Sequence, residues 1–474
     1  MCVGKTFLLL SSVLLVGCST FRGAMEPYSL SPKSSAKTWE PPKHAITKTS
    51  FSLEDFAKLE EHNEYSLAEL INIALLNNPQ TKVSWDDARV ASAQYGESLS
   101  GYFPFLDLNG SWERSKGPDV SDLTAGVNTA WDTVYNTNAA FSYTILDFGQ
   151  IRATSTAALM SLYSADWMHN RQIQTTISVI MNDFYNYLYE KDLLTAKYAD
   201  LDNAKATLDA AKERLKTGMD DLGDLLQAQT TYLSAKLNVT NQKQNLHNSY
   251  TLLSKDMGLP PQIKLKTQNF PDQTPEYEVQ PFEHYLDIAK RKRPDYLASI
   301  ATVASKKQLL YKAERDNYPV VSGTMDIGKT WSNNGVEDDY DFQAIVSVTV
   351  PFFHGFEIQN SINRAKSVLK KAEDKQLQLE VDIMREISDY THDINYARDL
   401  MNDSKEFLES AIQEFKINLK KYRVGTANIL DVISAQAAVA DAQAQNIQAK
   451  SEWYISLANL AYSTGSLTTS EETQ

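Results

Sequence analysis

Lys421-Tyr-Arg-Val-Gly-Thr426, followed by Asp431-Val-Ile-Ser-Ala-Gln436, is anticipated earlier in the chain by Arg214-Leu-Lys-Thr-Gly218, followed by Asp224-Leu-Leu-Gln-Ala-Gln229. Gly218 and Gly425 stand 207 residues apart, and so do Asp224 and Asp431. A glycine after a long run without proline, then an acid and an apolar run, reads as a helix that stops, turns sharply and restarts. Finding that signal twice makes internal duplication the first hypothesis for the fold.

Other landmarks agree. Asn78-Pro79 answers to Arg293-Pro294, and Tyr102-Phe-Pro104 to Asn317-Tyr-Pro319, with both pairs of prolines 215 residues apart. Gly258-Leu259 matches Gly465-Ser-Leu467 loosely. The offset changes between Pro104 and Gly149 in the first copy and between Pro319 and Gly355 in the second, so the copies differ in loop length at one place. The expected organisation is a first repeat over 65–258, a proline-rich linker over 259–281, a second repeat over 282–467 and a short tail over 468–474. Each repeat reads helix, hairpin, long helix, turn, helix.

The hairpins alternate with period two. Leu106, Leu108 and Trp112 alternate with Asp107, Asn109, Ser111 and Glu113. On the return strand Tyr135, Ala139, Phe141, Tyr143 and Ile145 oppose Asn136, Asn138, Ser142 and Thr144. The second copy sets Val321, Met325, Ile327 and Trp331 against Ser322, Thr324, Asp326 and Thr330. Its return strand sets Tyr340, Phe342, Ala344, Val346, Val348 and Val350 against Asp341, Gln343, Ser347 and Thr349. Strands of about ten residues, apolar outward and polar inward with aromatics near their ends, suit a membrane barrel. A half-buried soluble sandwich shows the same alternation, but four strands are few for a sandwich flanked by so much helix.

Gln150–Lys216 and Glu357–Tyr422 contain no proline, and at about 1.5 Å per residue each could extend roughly 100 Å. Ile383, Ile387, Tyr390, Ile394, Ala397 and Met401 step by four and three, and Leu408, Ala411 and Phe415 keep that register, which predicts supercoiled packing against partner helices. The returning helix carries Ala435, Ala437, Ala438, Ala440, Ala442 and Ala444, small side chains that allow close helix approach. Four strands cannot close a barrel, and open edges are not tolerated in lipid. Two copies would give eight strands with a filled interior, and three give twelve with a lumen. Polar inward faces favour the homotrimer.

Composition bounds the function. The 474-residue chain has 46 basic and 60 acidic side chains, a net charge of -14, and a mean hydropathy of -0.39. That excludes a bundle of membrane-spanning helices, which needs several apolar runs of about 20 residues. It also argues against nucleic acid as a partner, since phosphate binding needs clustered Lys and Arg. Gly323-Thr-Met-Asp-Ile-Gly-Lys-Thr330 fits the phosphate-loop pattern, but Trp331-Ser-Asn-Asn-Gly335 after it is a turn where that motif needs a helix. No metal-ligand spacing or nucleophile elbow appears, so neither an enzyme nor a cofactor is expected. Tyr185, Tyr187 and Tyr189 read as helix packing.

Lys5, the apolar run Phe7 to Val16 and Leu15-Val-Gly-Cys18 form a secretory signal over 1–17, too short to be a membrane anchor. The tetrad resembles the bacterial lipobox, which implies cleavage before Cys18 and its acylation, with several chains anchoring in outer-membrane lipid. Ser19 after it fits outer-membrane sorting. An ordinary signal with a chance cysteine is the alternative. Residues 18–64 read as a lipidated tether.

On the paired turn motifs, together with Phe103-Pro104 and Tyr318-Pro319, the chain resembles the TolC family of outer-membrane efflux proteins from about Tyr65 to Leu467. The first turn departs from the family pattern with Thr217-Gly-Met-Asp-Asp221. The resemblance implies a mainly α fold with a membrane β-barrel: a trimeric duct whose twelve-stranded barrel continues into a periplasmic tunnel of long antiparallel helices. It implies an inner-membrane transporter that energises export and a periplasmic adaptor that docks on the hairpin tips, Arg214, Thr217, Gly218, Met219 and Leu222 in one copy and Arg423, Val424, Gly425 and Thr426 in the other. Asp431 matches a family position whose carboxylates ring the narrow periplasmic end. The second acid of the family's best-known member is here Ser434, and Asp224 is the first-copy counterpart of Asp431. A helix-start role for both acids stays open at this point. The leading function is the channel of a tripartite export system, leaning toward small-molecule efflux; the alternative is a non-conducting, periplasm-spanning structural or adhesive lipoprotein.

Overall fold

The computed structural model describes residues 64–119, 128–218, 221–260, 265–271, 277–332 and 340–467, with residues 26, 28, 34–38 and 263. Cys18, Met219, both hairpin loops and the tail lie outside the described residues. In chain order the elements are α1 (Leu67–Asn77), α2 (Pro79–Ser98), β1 (Phe105–Asp119), β2 (Asn128–Leu146), α3 (Gln150–Lys216), α4 (Leu222–Asp256), α5 (Phe282–Lys292), α6 (Pro294–Arg315), β3 (Val320–Ser332), β4 (Tyr340–Thr349), α7 (Glu357–Arg423) and α8 (Ile429–Ser463). The long helices of the two halves match in length: α3 and α7 are both 67 residues long, and α4 and α8 are both 35. Two details differ from the sequence reading. The opening helix of each copy is broken in two before Pro79 and Pro294, because a residue preceding proline is driven out of the helical region. Three strands also exceed ten residues, at 15, 19 and 13.

The chain divides into two compact units, one of Met1–Ser31, Asp87–Asp166 and Ala298–Gln376, the other of Pro32–Asp86, Trp167–Leu297 and Leu377–Gln474. The first holds a four-stranded antiparallel sheet in the order β1-β2-β3-β4. Gly323–Thr330 lies inside β3, paired on both sides, which rules out a phosphate loop there. No helix among the described residues is long and apolar enough to cross a membrane.

The second unit is helical, with two main cores. In the larger, Ile383, Ile387, Ile394 and Ala397 are buried as the four–three spacing requires, against Phe184, Leu188, Trp453 and Tyr454. Tyr185 stacks on Tyr454 at 4.9 Å and on Phe270 at 6.0 Å, and Tyr187 packs on Tyr250, so these rings do build the core. The smaller core joins Ala411, Phe415 and Tyr422 of α7 to Leu208, Ala228, Ala435, Val439 and Ala442. Of the six alanines named on α8, Ala435 and Ala442 are fully buried, whereas Ala437 faces solvent; Ala449 and Ala458 further along are buried as well. Part of the tether is fixed. His169 bonds the Lys37 carbonyl at 3.0 Å and Ser84 at 2.9 Å, and burial lowers its pKa to about 4, so it is neutral at ordinary pH.

The breaks before Pro79 and Pro294 explain two of the glycines that recur between the two halves of the chain. Asn78 donates to the Asp256 carbonyl at 2.6 Å, and Arg293 donates to the Ser463 carbonyl at 3.1 Å, the same bond in each copy. The two helix ends finish in the same way. Gly258 donates to Lys255 and Leu259 to Ser254, while Gly465 donates to Tyr462 and Ser466 to Ala461, the paired bonds of a Schellman cap. Gly258 (φ +74°) and Gly465 (φ +71°) lie so close to the breaks that an added Cβ would sit 2.6 Å from the Asn77 carbonyl oxygen and 2.7 Å from the Arg293 Cα. Arg293 is buried, bonded to Asp295 at 2.9 Å and Glu386 at 2.6 Å, and Arg171 approaches Asp295 at 3.4 Å. Burial opposes the Arg293 charge, but the two carboxylates outweigh it and hold its pKa above the ordinary value.

Gly258→Ala and Gly465→Ala should each lower the thermal midpoint of the purified protein by several degrees, through backbone overlap added to left-handed strain. Gly218→Ala, with open space around it, should lose only the roughly 1–2 kcal/mol of left-handed strain. Equal midpoints for all three variants would contradict the close packing.

Candidate channel wall and hairpin tips

The register of the sheet sorts its side chains. Leu108 faces Ala139, Ala139 faces Ile327 and Ile327 faces Phe342; one step away Asn109 faces Asn138, Asn138 faces Gly328 and Gly328 faces Asp341. Every strand therefore presents its apolar set to the same side, as the alternation predicts. That side is bare: Leu108 is 82% exposed, Val346 71% and Leu106 69%. From Tyr340 to Val350 the apolar side chains of β4 and the residue after it cover ten residue steps, about 34 Å along the strand, or about 26 Å at the ~40° tilt of a barrel strand, close to the ~25 Å apolar band of such barrels.

The polar side is knitted together and acidic. Asn138 donates to Asp326 at 3.3 Å, Ser332 donates to Asp132 at 3.0 Å, and Ser322 and Ser347 share a bond of 2.9 Å. Among the strand residues with described side chains, Asp107, Glu113, Asp132, Asp326 and Asp341 all stand on this side, and no Lys or Arg does. The chemistry available here is electrostatic: a wetted wall that favours cations.

At the far ends of the long helices, Gly218 (φ +73°) and Gly425 (φ +84°) make the reversals that the sequence predicts. Gly425 donates to Tyr422 and Thr426 to Lys421, a third Schellman pair, and Gly218 donates to Leu215. Asp221 caps α4 by accepting from the Asp224 amide at 3.1 Å. Asn428 caps α8, and Asp431 returns the favour: its carboxylate accepts from the Asn428 amide at 3.2 Å, while its own amide donates to Asn428 at 2.9 Å. Asp431 thus has the helix-start role left open above, and its side chain remains exposed, as does Ser434 one turn on; Asp224 is half-buried. Leu222 (60%) and Val424 (75%) leave apolar surface at the turns, and Thr217, Arg423 and Thr426 are exposed beside them.

Arg214 joins the two tips. It donates to the Tyr422 carbonyl, and its guanidinium lies 4.6 Å from the centre of the buried Tyr422 ring. An added Cβ at Gly425 would meet Arg214 Nη1 at 3.4 Å. Sequence reasoning named Arg214 through the family motif but not this link. It also missed Asn428 and Asp221, although an Asn or Asp three residues before an acid is a legible cap signal. No group of His, Cys, Asp and Glu among the described residues is arranged to hold a metal ion.

The model for outer membrane efflux proteins matches residues 70–259 and 285–466, one block for each structural repeat. The chain belongs to the outer membrane efflux protein family. It is similar to outer membrane protein TolC of Escherichia coli (strain K12), with 21% identity over 432 residues covering 88% of this chain and 85% of TolC. Protein CyaE of Bordetella pertussis is 20% identical over 380 residues, 79% of this chain and 78% of CyaE. Among solved structures, the CmeC outer membrane channel of Campylobacter jejuni superposes with a TM-score of 0.75 at 19% identity, covering 91% of this chain and 95% of CmeC. The fold of this efflux-protein family is therefore the fold of this chain.

Arg214→Ala should speed amide hydrogen exchange at Gly425 and Thr426 by about tenfold, as the loss of a charged hydrogen bond of roughly 1.5 kcal/mol requires. Helix content should be unchanged. Unaltered exchange at both residues would show that Arg214 does not hold the second tip.

Proposed function

We propose that this protein is the outer-membrane channel of a tripartite export system, a passive trimeric duct with no chemistry of its own. The observation that carries the reading is the sorted sheet: an exposed apolar face of membrane height, an acidic polar face, and two free edges. Three copies pairing β1 of one with β4 of the next satisfy both edges and enclose the acidic faces as a twelve-stranded barrel. Each 67-residue helix rises about 100 Å, a length suited to a tunnel through the periplasm. Membership of the family supports both the outer-membrane location and efflux as the task.

The finer assignments are proposals of the same kind. Residues 65–258 and 282–467 act as two equivalent repeats joined by the 259–281 linker. The exposed tips around Leu222, Val424 and Thr426 dock a periplasmic adaptor, which couples the duct to an inner-membrane transporter, with small molecules as the cargo. Cys18, once the signal is removed, carries the lipid anchor. Asp431, one per protomer, forms the acidic ring of the periplasmic gate beside Ser434, with Asp224 lining it from the neighbouring hairpin; the carboxylates repel one another, so opening relieves like-charge strain.

Asp431→Asn separates the gate from the cap, because an amide oxygen can still accept from the Asn428 backbone. In planar bilayers the wild-type protein should conduct in a closed-biased, cation-selective manner. The Asn variant should lose cation selectivity and part of its sensitivity to divalent cations on the periplasmic side. A protein that never conducts, wild type or variant, would leave a structural lipoprotein as the reading.

A further inference from the structure

The charges on the outward face of the sheet carry a second assignment. Arg114, Lys116 and Lys329, the only Lys and Arg among the strand residues with described side chains, all lie on the apolar side, where no Asp or Glu stands. An apolar membrane face gains nothing from cations unless something anionic meets them, and the acids of these strands are all on the opposite side. The three cations are gathered toward the hairpin ends, away from the helices, among aromatic rings. The Arg114 guanidinium lies 5.0 Å and Lys116 Nζ 5.9 Å from the Trp131 ring centre, and Lys329 Nζ lies 5.2 Å from Tyr340 and 5.5 Å from Trp331. A cation seated on a ring face is fixed in place while its N–H groups stay free to bond an anion.

Beside this cluster the face is hollow. Gly110 stands in register with Thr137, and Thr137 with Lys329, so one row of the sheet has no bulky side chain on β1 or β2. The resulting depression, about 530 Å³, is walled by Trp112, Tyr135 and Trp331, and a Cβ built at Gly110 meets nothing within 4 Å. An apolar trough next to three ring-seated cations matches an amphiphile with an acyl chain and clustered phosphates.

We propose that this outward belt is a binding site for a phosphorylated glycolipid of the outer leaflet, its phosphates held by Arg114, Lys116 and Lys329 and one acyl chain laid over Gly110. The choice of leaflet rests on the channel reading, which puts the helices in the periplasm and the hairpin ends outside. Generic snorkelling of lysines toward water explains single cations at a membrane boundary; it does not explain a trough beside them.

The test uses the full-length, delipidated trimer in detergent, titrated with diphosphoryl lipid A or with phosphatidylglycerol and read by native mass spectrometry. Lipid A should bind at one copy per protomer and at least tenfold tighter than phosphatidylglycerol. Arg114→Gln, Lys116→Gln and Lys329→Gln together should abolish that preference, Gly110→Trp should weaken lipid A binding with all charges in place, and Arg114→Lys with Lys329→Arg should retain it. The trimer mass in the same spectra reports folding, and Lys329→Gln alone is the milder variant if the triple one dissociates. Equal binding of both lipids by the wild type, or lipid A binding untouched by both Lys329→Gln and Gly110→Trp, would overturn the site. Conductance of the same preparations is recorded separately, so a protein that selects lipid A but never conducts contradicts the duct and not the belt.

Discussion

Backbone N–H and C=O groups left unpaired in hydrocarbon cost several kcal/mol each, and a sheet with two open edges and a bare apolar face cannot meet that cost alone. β1 and β4 are those edges. Their pairing with further copies is the requirement from which the rest follows. Once the sheet closes, the side that carries Leu108, Ile327 and Phe342 has to meet lipid, and the side that carries Asp107, Asp326 and Asp341 has to meet water. A closed ring of three sheets then makes the acidic side a lumen.

The helical unit shows how duplication is made to fit. Each copy breaks its opening helix before a proline and seats the break against a Schellman-capped helix end, with a side chain reaching across to a free carbonyl. The first copy uses the neutral Asn78. The second uses Arg293, which brings Asp295, Glu386 and Arg171 with it into a buried charge cluster. One backbone solution is thus kept while its side chains diverge. The same divergence appears at the tips, where Asn428 and Asp431 form a reciprocal cap in the second copy and Asp221 caps the first.

Much of this was legible in the sequence. Period-two alternation gave every strand its outward face, because register in a sheet moves whole sets of side chains together. The four–three spacing on α7 named Ile383, Ile387, Tyr390, Ile394, Ala397 and Met401 as the packed face; Ile383, Ile387, Ile394 and Ala397 are buried, and Tyr390 and Met401 are half-buried. What could not be read were links between residues distant in sequence that depend on three-dimensional meeting points: Arg214 on the Tyr422 carbonyl, or Arg293 with Glu386. Lys329 was hidden for another reason, since it sat in a stretch resembling a phosphate loop, and only the register showed which face it shares with Trp331 and Tyr340. The cap bonds of Asp431 establish its helix-start role and are compatible with a place in a gate.

The central claim is that one face of the sheet is lipid-exposed and the other lines water, and neighbouring positions on β2, paired on both sides, test it most directly. Cysteine at Asn138 and cysteine at Ala139, in turn, should be probed with a charged, membrane-impermeant thiol reagent on trimers in the native outer membrane, against the wild-type background. The account predicts rapid labelling at 138 and protection at 139, with a lipid-soluble reagent reversing the order. Equal labelling at both positions, or protection at 138, would contradict it.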